Sequence, residues 1–157
     1  MKVSDIMTSK PFFCRRETDL GTAAELLWNG NCGFLPVVED GGRVVGAVTD
    51  RDLCIALGTK NRVAGEIRVG EIASKAPVTC APGDDIRQAL ATMADRKIHR
   101  LVVVGAKGEL VGVLSVDDMI AKESGARLAG ELSPVELLGS LRGIVSHQVH
   151  AAQPQAA

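Results

Sequence analysis

Gly46-Ala47-Val48-Thr49-Asp50-Arg51-Asp52 returns 66 positions later as Gly112-Val113-Leu114-Ser115-Val116-Asp117-Asp118. Each stretch reads as a glycine, two apolar residues, a hydroxyl, two variable positions and a carboxylate. Working outward, residues 2–56 align with residues 68–122 without a gap. Thirteen of those pairs are identical, including Val3/Val69, Pro11/Pro77, Cys14/Cys80, Asp19/Asp85 and Asp52/Asp118. This composition would give roughly four by chance, so the chain is a tandem duplication.

The repeated stretch is a strand-to-helix junction. Glycine inside a strand weakens it and marks close approach by a backbone or a ligand. The hydroxyl residue opens the helix, and the carboxylate three positions later stands at the same mouth. Free N–H groups and the helix dipole favour an anionic or polar ligand there. A carboxylate can accept both hydroxyls of a ribose. Thr-x-x-Asp is equally a capping box that needs no ligand. The sequence leaves both readings open, and the recurrence behind a strand glycine in each copy favours a site.

Each copy carries the same element order. A short turn (Ser4-Asp5-Ile6-Met7 in the first) leads to an extended piece after Pro11 or Pro77. A helix follows, opening near Thr18 or Asp84, with Leu20, Ala23, Ala24 and Leu27 or Ile86, Ala89, Leu90 and Met93 at 3.6-residue spacing. Strands are expected at Phe34–Val38 and Arg43–Val48, and at Arg100–Val104 and Glu109–Leu114. Glycine-bearing turns join them, as hairpins require. The closing helices are expected at about Asp50–Leu57 and Val116–Lys122. The order β-α-β-β-α, twice, predicts an α/β (α+β) fold of two pseudo-symmetric repeats packed face to face. The predicted divisions are 1–58, a linker at 59–67, 68–123, and a tail at 124–157.

In the tail, Ser133-Pro134-Val135-Glu136 is a capping box with proline at the first helical position. Val135, Leu138, Leu141, Ile144, Val145 and Val149 predict the apolar stripe of an amphipathic helix, which either packs on its own chain or forms a subunit contact. Gly139 and Gly143 match GxxxG, yet Arg142 lies between them and no membrane span surrounds them. His147 and His150 lack an evident third metal ligand. Trp28 reads as a packing residue on its helix face, with a subunit contact as the alternative.

Composition narrows the function. Hydrophobic residues make up 46% and aromatics 3%, so the core is aliphatic. The net charge of −1 leaves no basic footprint for nucleic acid, and stacking platforms are scarce. No apolar run approaches a membrane span and the first residues lack a signal-peptide core, which predicts a cytoplasmic protein. The four cysteines form no CxxC pair, and Cys14 and Cys80 suit small buried side chains. No nucleophile–base set or metal-ligand spacing is visible, so neither an enzyme, a metal site nor a required cofactor is expected.

The gapless β-α-β-β-α pair, each copy ending in G-h-h-[ST]-x-x-D with h apolar, resembles a tandem CBS module of the short stand-alone bacterial type, over nearly all of residues 1–123. That resemblance implies clefts binding AMP, ADP, ATP or S-adenosylmethionine, and a homodimer acting on a downstream protein. It also implies that Asp52 and Asp118 hold ribose hydroxyls with Thr49 and Ser115 beside them. The segments Pro11-Phe12-Phe13 and Pro77-Val78-Thr79 would offer backbone groups to adenine. The copies differ where Gly33-Phe34 faces His99-Arg100. A His-Arg pair could neutralise phosphate, as could Arg51, or it could be a solvated strand entry. The alternative function is a ligand-independent dimerisation module in which both junctions are only caps.

Overall fold

The computed structural model describes residues 1–123 and 133–145. Its elements in chain order are β1 (Thr8–Ser9), α1 (Leu20–Asn29), β2 (Phe34–Val38), β3 (Val44–Thr49), α2 (Asp50–Thr59), β4 (Thr79–Cys80), α3 (Ile86–Arg96), β5 (Arg100–Val104), β6 (Leu110–Ser115), α4 (Val116–Glu123) and α5 (Pro134–Val145). Short 3-10 turns at Val3–Asp5 and Val69–Glu71 open the two copies. The chain is mixed α/β, and the strand pairs and four repeat helices fall within two residues of their predicted places. One difference lies at β1, which precedes Pro11. After Pro11 the extended backbone makes only a single parallel bridge, Cys14 to Val37. Its counterpart, 66 positions on, is the two-residue strand β4, pairing Cys80 with Val103.

The helices start where the sequence supplies caps. Asp19 accepts from the Thr22 amide at 3.0 Å and Asp85 from the Arg87 amide at 2.8 Å. Each cap satisfies an amide that the first turn leaves without a helical partner. Leu20, Ala23 and Leu27 then face inward on α1, and Ile86, Ala89, Leu90 and Met93 do so on α3.

Two compact units result, and their boundaries do not follow the repeats. The larger comprises Thr8–Pro82 with Val102–Val113. It holds the β2–β3 hairpin and the pairings of a four-stranded sheet ordered β1-β6-β5-β4. Its core gathers Leu20, Leu35, Val37, Val48, Ile67 and Val69. The smaller comprises Met1–Met7, Gly83–Leu101 and the described residues from Leu114 onward. It buries Val3, Ile86, Met93, Leu114, Met119 and Ile144.

The opening segments have changed places. The Val69 amide donates to the Thr18 carbonyl at 2.8 Å and the Leu20 amide to the Ile67 carbonyl at 3.0 Å. Shifted by 66 positions, the same bonds recur in the smaller unit: Val3 to Asp84 at 2.9 Å and Ile86 to Met1 at 3.0 Å. Each copy's first turn is therefore built onto the helix start of the other copy. The next residues continue the exchange, with Ser74 bridging Ala47 of β3 and Thr8 pairing with Val113 of β6.

Helix α5 packs on α3 through a face that shares Leu141 and Ile144 with the predicted stripe and adds Leu137. Leu137 and Ile144 are buried and Leu141 is half-buried, whereas Val135 and Leu138 point outward. The helix carries two apolar registers. The inner one includes Gly143, which lets α5 approach until a Cβ at that position would lie 3.3 Å from the Ala94 Cβ. Burying Leu137 and Ile144 contributes about 1.5–3 kcal/mol each relative to exposure. Val149, His147 and His150 lie outside the described residues. Trp28 departs from the packing reading: it is 86% exposed in the single chain.

Candidate functional site

The two junctions are built alike. In the larger unit the Thr49 amide donates to Asp52 Oδ2 at 2.8 Å, and Thr49 Oγ1 donates to the same oxygen at 2.7 Å. The Asp52 amide donates back to Thr49 Oγ1 at 3.2 Å. In the smaller unit the corresponding distances for Ser115 and Asp118 are 2.8, 2.6 and 3.0 Å. Both are complete capping boxes, so the structural role is real. Asp52 and Asp118 are nonetheless half-exposed at the mouths of α2 and α4. Among the described residues, Asp52 Oδ1 accepts no hydrogen bond, which leaves one carboxylate oxygen for a ligand hydroxyl.

The strand glycine has a backbone explanation. A Cβ on Gly46 would lie 2.5 Å from the Ser74 carbonyl oxygen. Ala47 and Ser74 exchange amide hydrogen bonds of 3.2 and 2.9 Å, so the exchanged segment occupies that space. Gly112 pairs directly with Ser9 in the matching position. The alternative left open by the sequence resolves toward close backbone approach.

Ahead of the strands the copies share a backbone and differ in side chains. The Asp50 amide donates to the Gly33 carbonyl at 3.3 Å, and the Val116 amide to the His99 carbonyl at 3.0 Å. Because only the carbonyl is held, the side chain can vary. Gly33 leaves room for the Asp50 carboxylate, whose Oδ2 lies 2.8 Å from where a Cβ would sit. At the second junction the residue at the helix start is the apolar Val116, and His99 is exposed. Arg100 lies 3.7 Å from Asp117, an ion pair with Arg100 about one-third exposed. Arg51 is exposed, its amide donating to Asp50 Oδ1 at 2.7 Å.

Pro11, Phe12 and Phe13 line an apolar cleft of about 640 Å³ in the larger unit, with Leu26, Val38, Leu110 and Val111. Phe12 and Phe13 are nearly half exposed, 47% and 46%. Apolar walls with few polar groups are what small-molecule sites use. Thr49 and Asp52 are not among its lining residues. Pro77 and Val78 are half-buried and Thr79 is exposed, and the Val78 carbonyl already accepts from the Val102 amide at 3.2 Å.

Sequence reasoning missed Lys10, which stands at the cleft with a left-handed backbone (φ 61°). It also missed Leu110 and Val111, which reach the cleft because the hairpin tips are joined: the Val44 amide donates to the Gly108 carbonyl at 3.0 Å, and Arg43 bridges to Glu109. A left-handed residue before proline carries no compositional signal, and neither does a bridge between hairpins.

Among the described residues no helix is long and apolar enough to cross a membrane. Nor does any group of three His, Cys, Asp or Glu residues among them stand ready for a metal ion. Cys14 is buried, and burial pushes its thiol pKa up to about 12.

Doubled β-α-β-β-α units, each closed by a capped hydroxyl–carboxylate junction, define the class of fold. The CBS domain family matches residues 3–59 and 69–125, and the chain belongs to that family. It is similar to inosine-5'-monophosphate dehydrogenase of Mycobacterium bovis, 32% identical over 118 residues that make up 74% of this chain and 21% of the enzyme. The chain thus spans about a fifth of the length of such relatives. Similarity to the uncharacterized protein YlbB of Bacillus subtilis is 28% and covers 85% of this chain and 90% of that one. Among solved structures, CBSX2 in complex with AMP superimposes with a TM-score of 0.69 at 26% identity, covering 78% of this chain and 96% of that one. The CBS domain pair of protein MJ0100, in complex with 5'-methylthioadenosine and S-adenosyl-L-methionine, gives 0.70 at 25% identity over 80% of this chain and 100% of that one.

Proposed function

We propose that this chain is a regulatory module that senses an adenosine-containing ligand, AMP, ADP, ATP or S-adenosylmethionine, in the cytoplasm. The observation that carries this reading is the pair of junctions with the same hydrogen bonds, each holding a half-exposed carboxylate at a helix mouth. Asp52 and Asp118 accept the ribose hydroxyls, with Thr49 and Ser115 beside them. The Pro11–Phe13 and Pro77–Thr79 segments take adenine, and His99, Arg100 and Arg51 face phosphate. The ligand-bearing complexes of CBSX2 and MJ0100 support the ligand class. Two copies of the chain pair, and ligand reaches a downstream protein by favouring one arrangement over another.

Calorimetric titration of the full chain with each of the four ligands tests this. At least one binds below millimolar concentration, and Asp52→Ala with Asp118→Ala abolishes it. At a hundred times its dissociation constant that ligand adds about 2.7 kcal/mol of stability. No binding by any of the four below millimolar concentration sinks the reading. The completeness of both capping boxes favours a second reading, a ligand-independent dimerisation module, for which no ligand shifts the melting temperature.

A further inference from the structure

The cleft beside Phe12 and Phe13 differs from the matching positions of the second copy. Moving forward 66 positions, Lys10, Phe12, Phe13 and Leu26 become Ala76, Val78, Thr79 and Thr92. Pro11, Val38 and Gly42 are kept as Pro77, Val104 and Gly108. The frame is thus shared, while two aromatic rings and a cation belong to the first copy alone. Nucleobases of any kind stack on aromatic faces.

Lys10 is the one charged residue among the described residues that line this cleft, and it is exposed. Its place is fixed from both sides. Thr8 and Ser9 pair with Val113 and Gly112 of β6, which carries Lys10 toward Val111, another lining residue. On the other side Pro11 limits the backbone. Between them Lys10 holds φ 61°, a left-handed conformation that costs energy in a residue other than glycine. Backbone strain of this kind gathers at ligand clamps. A lysine ammonium is a compact charge on a flexible stem and binds phosphate as such. A cleft of about 640 Å³ with aromatic walls and a single cation suits a planar base that carries an anionic tail.

We infer that Lys10 makes this cleft selective for a phosphorylated nucleoside over the neutral nucleoside and over a sulfonium nucleoside. The inference rests on the adenosine-binding reading proposed above and names the chemistry that the first-copy site takes. The ammonium pairs with the 5'-phosphate while Phe12 and Phe13 lie against the base. A sulfonium brings a second positive charge to the same place and is repelled. In the second copy, Ala76, Val78 and Thr79 supply neither the cation nor the rings.

Photolabelling of the full chain with 2-azidoadenosine and with its 5'-monophosphate tests the inference. Trypsin leaves Phe12 and Phe13 on the peptide of residues 3–15, and Pro77, Val78 and Thr79 on the peptide of residues 76–87. In wild type the 3–15 peptide saturates at a concentration roughly tenfold lower with the monophosphate than with the nucleoside. Lys10→Met, which keeps the stem and removes the charge, brings the two probes to near parity there. Lys10→Arg keeps the preference, and neither substitution alters labelling of 76–87. S-adenosylmethionine displaces the label from 3–15 more readily in Lys10→Met than in wild type. Saturable label on neither peptide with either probe overturns the adenosine reading, and this inference with it. Equal saturation of 3–15 by both probes in wild type, a preference that survives Lys10→Met, or label confined to 76–87 overturns only the role given to Lys10.

Discussion

The carbonyl oxygen of Ser74 stands 2.5 Å from the place where a side chain on Gly46 would begin. A methyl group there must push apart two hydrogen-bonded backbones. Gly46→Ala therefore destabilises the protein by about 1–3 kcal/mol, the usual cost of overpacking. Gly58, inside α2 with nothing within 4 Å of its would-be Cβ, is the contrasting case. Gly58→Ala stabilises by about 0.5–1 kcal/mol. Urea denaturation of the two variants reads opposite signs.

The junction hydroxyls cap helices whether or not ligand is present. Thr49→Ala and Ser115→Ala each cost about 1 kcal/mol in ligand-free protein. Thermal unfolding measured with and without the ligand found by titration separates cap from site. In the capping role alone, each variant loses the same amount under both conditions; with a ribose bound, the loss grows in its presence.

Glu71 couples stability to pH. Its carboxylate accepts from the Arg68 amide at 2.9 Å and lies 2.8 Å from Arg62 Nη1 and 3.6 Å from Lys60 Nζ. The Arg68 amide foremost, then the Arg62 guanidinium, hold it below its ordinary value of 4.5. Asp19 is lowered likewise, first by the Thr22 amide. A depressed carboxylate stabilises the fold at pH above its unfolded value, and that contribution fades as pH falls through the lower folded value. The melting temperature is expected to drop as the solution is acidified below about pH 4.5, and Glu71→Gln flattens that part of the profile.

The thiols differ in reactivity. Burial raises Cys14 to about 12 and its Sγ donates to the Pro36 carbonyl at 3.8 Å, whereas Cys54 is exposed. Only thiolate reacts appreciably with iodoacetamide. Timed alkylation followed by peptide mass spectrometry should label Cys54 early and Cys14 only after denaturant is added. Equal rates in native protein would contradict the buried environment.

The repeat made most of the fold legible because two copies of each apolar pattern corroborate one another. Leu20, Ala23 and Leu27 alone suggest a helix; their return as Ile86, Ala89 and Met93 makes it firm. Periodicity establishes which residues are equivalent, but not which copy each segment joins. The exchange of Val3 and Val69 between helix starts left no trace in the spacing. The inner face of helix α5 was legible only in part, through Leu141 and Ile144, for a related reason. With apolar residues in two registers, its inner face is decided by where Gly143 permits contact with Ala94, a tertiary fact. At the candidate site, the chemistry of Thr49, Asp52, Ser115 and Asp118 was readable from residue type. The cleft beside Phe12 and Phe13 was not, because Leu110 and Val111 arrive there through a hairpin bridge distant in sequence.

The exchanged opening turns bear on how such a chain holds together. A lone repeat would keep Leu20 and Val69-type amides without their carbonyl partners; two separate repeats could supply them only by trading first turns, as in a domain swap. Joining the copies makes that trade an intramolecular event, governed by the effective concentration that the connecting residues impose rather than by protein concentration. The covalent link between the copies is thus a thermodynamic element of the fold. Cutting it would turn a first-order folding reaction into a second-order association of fragments.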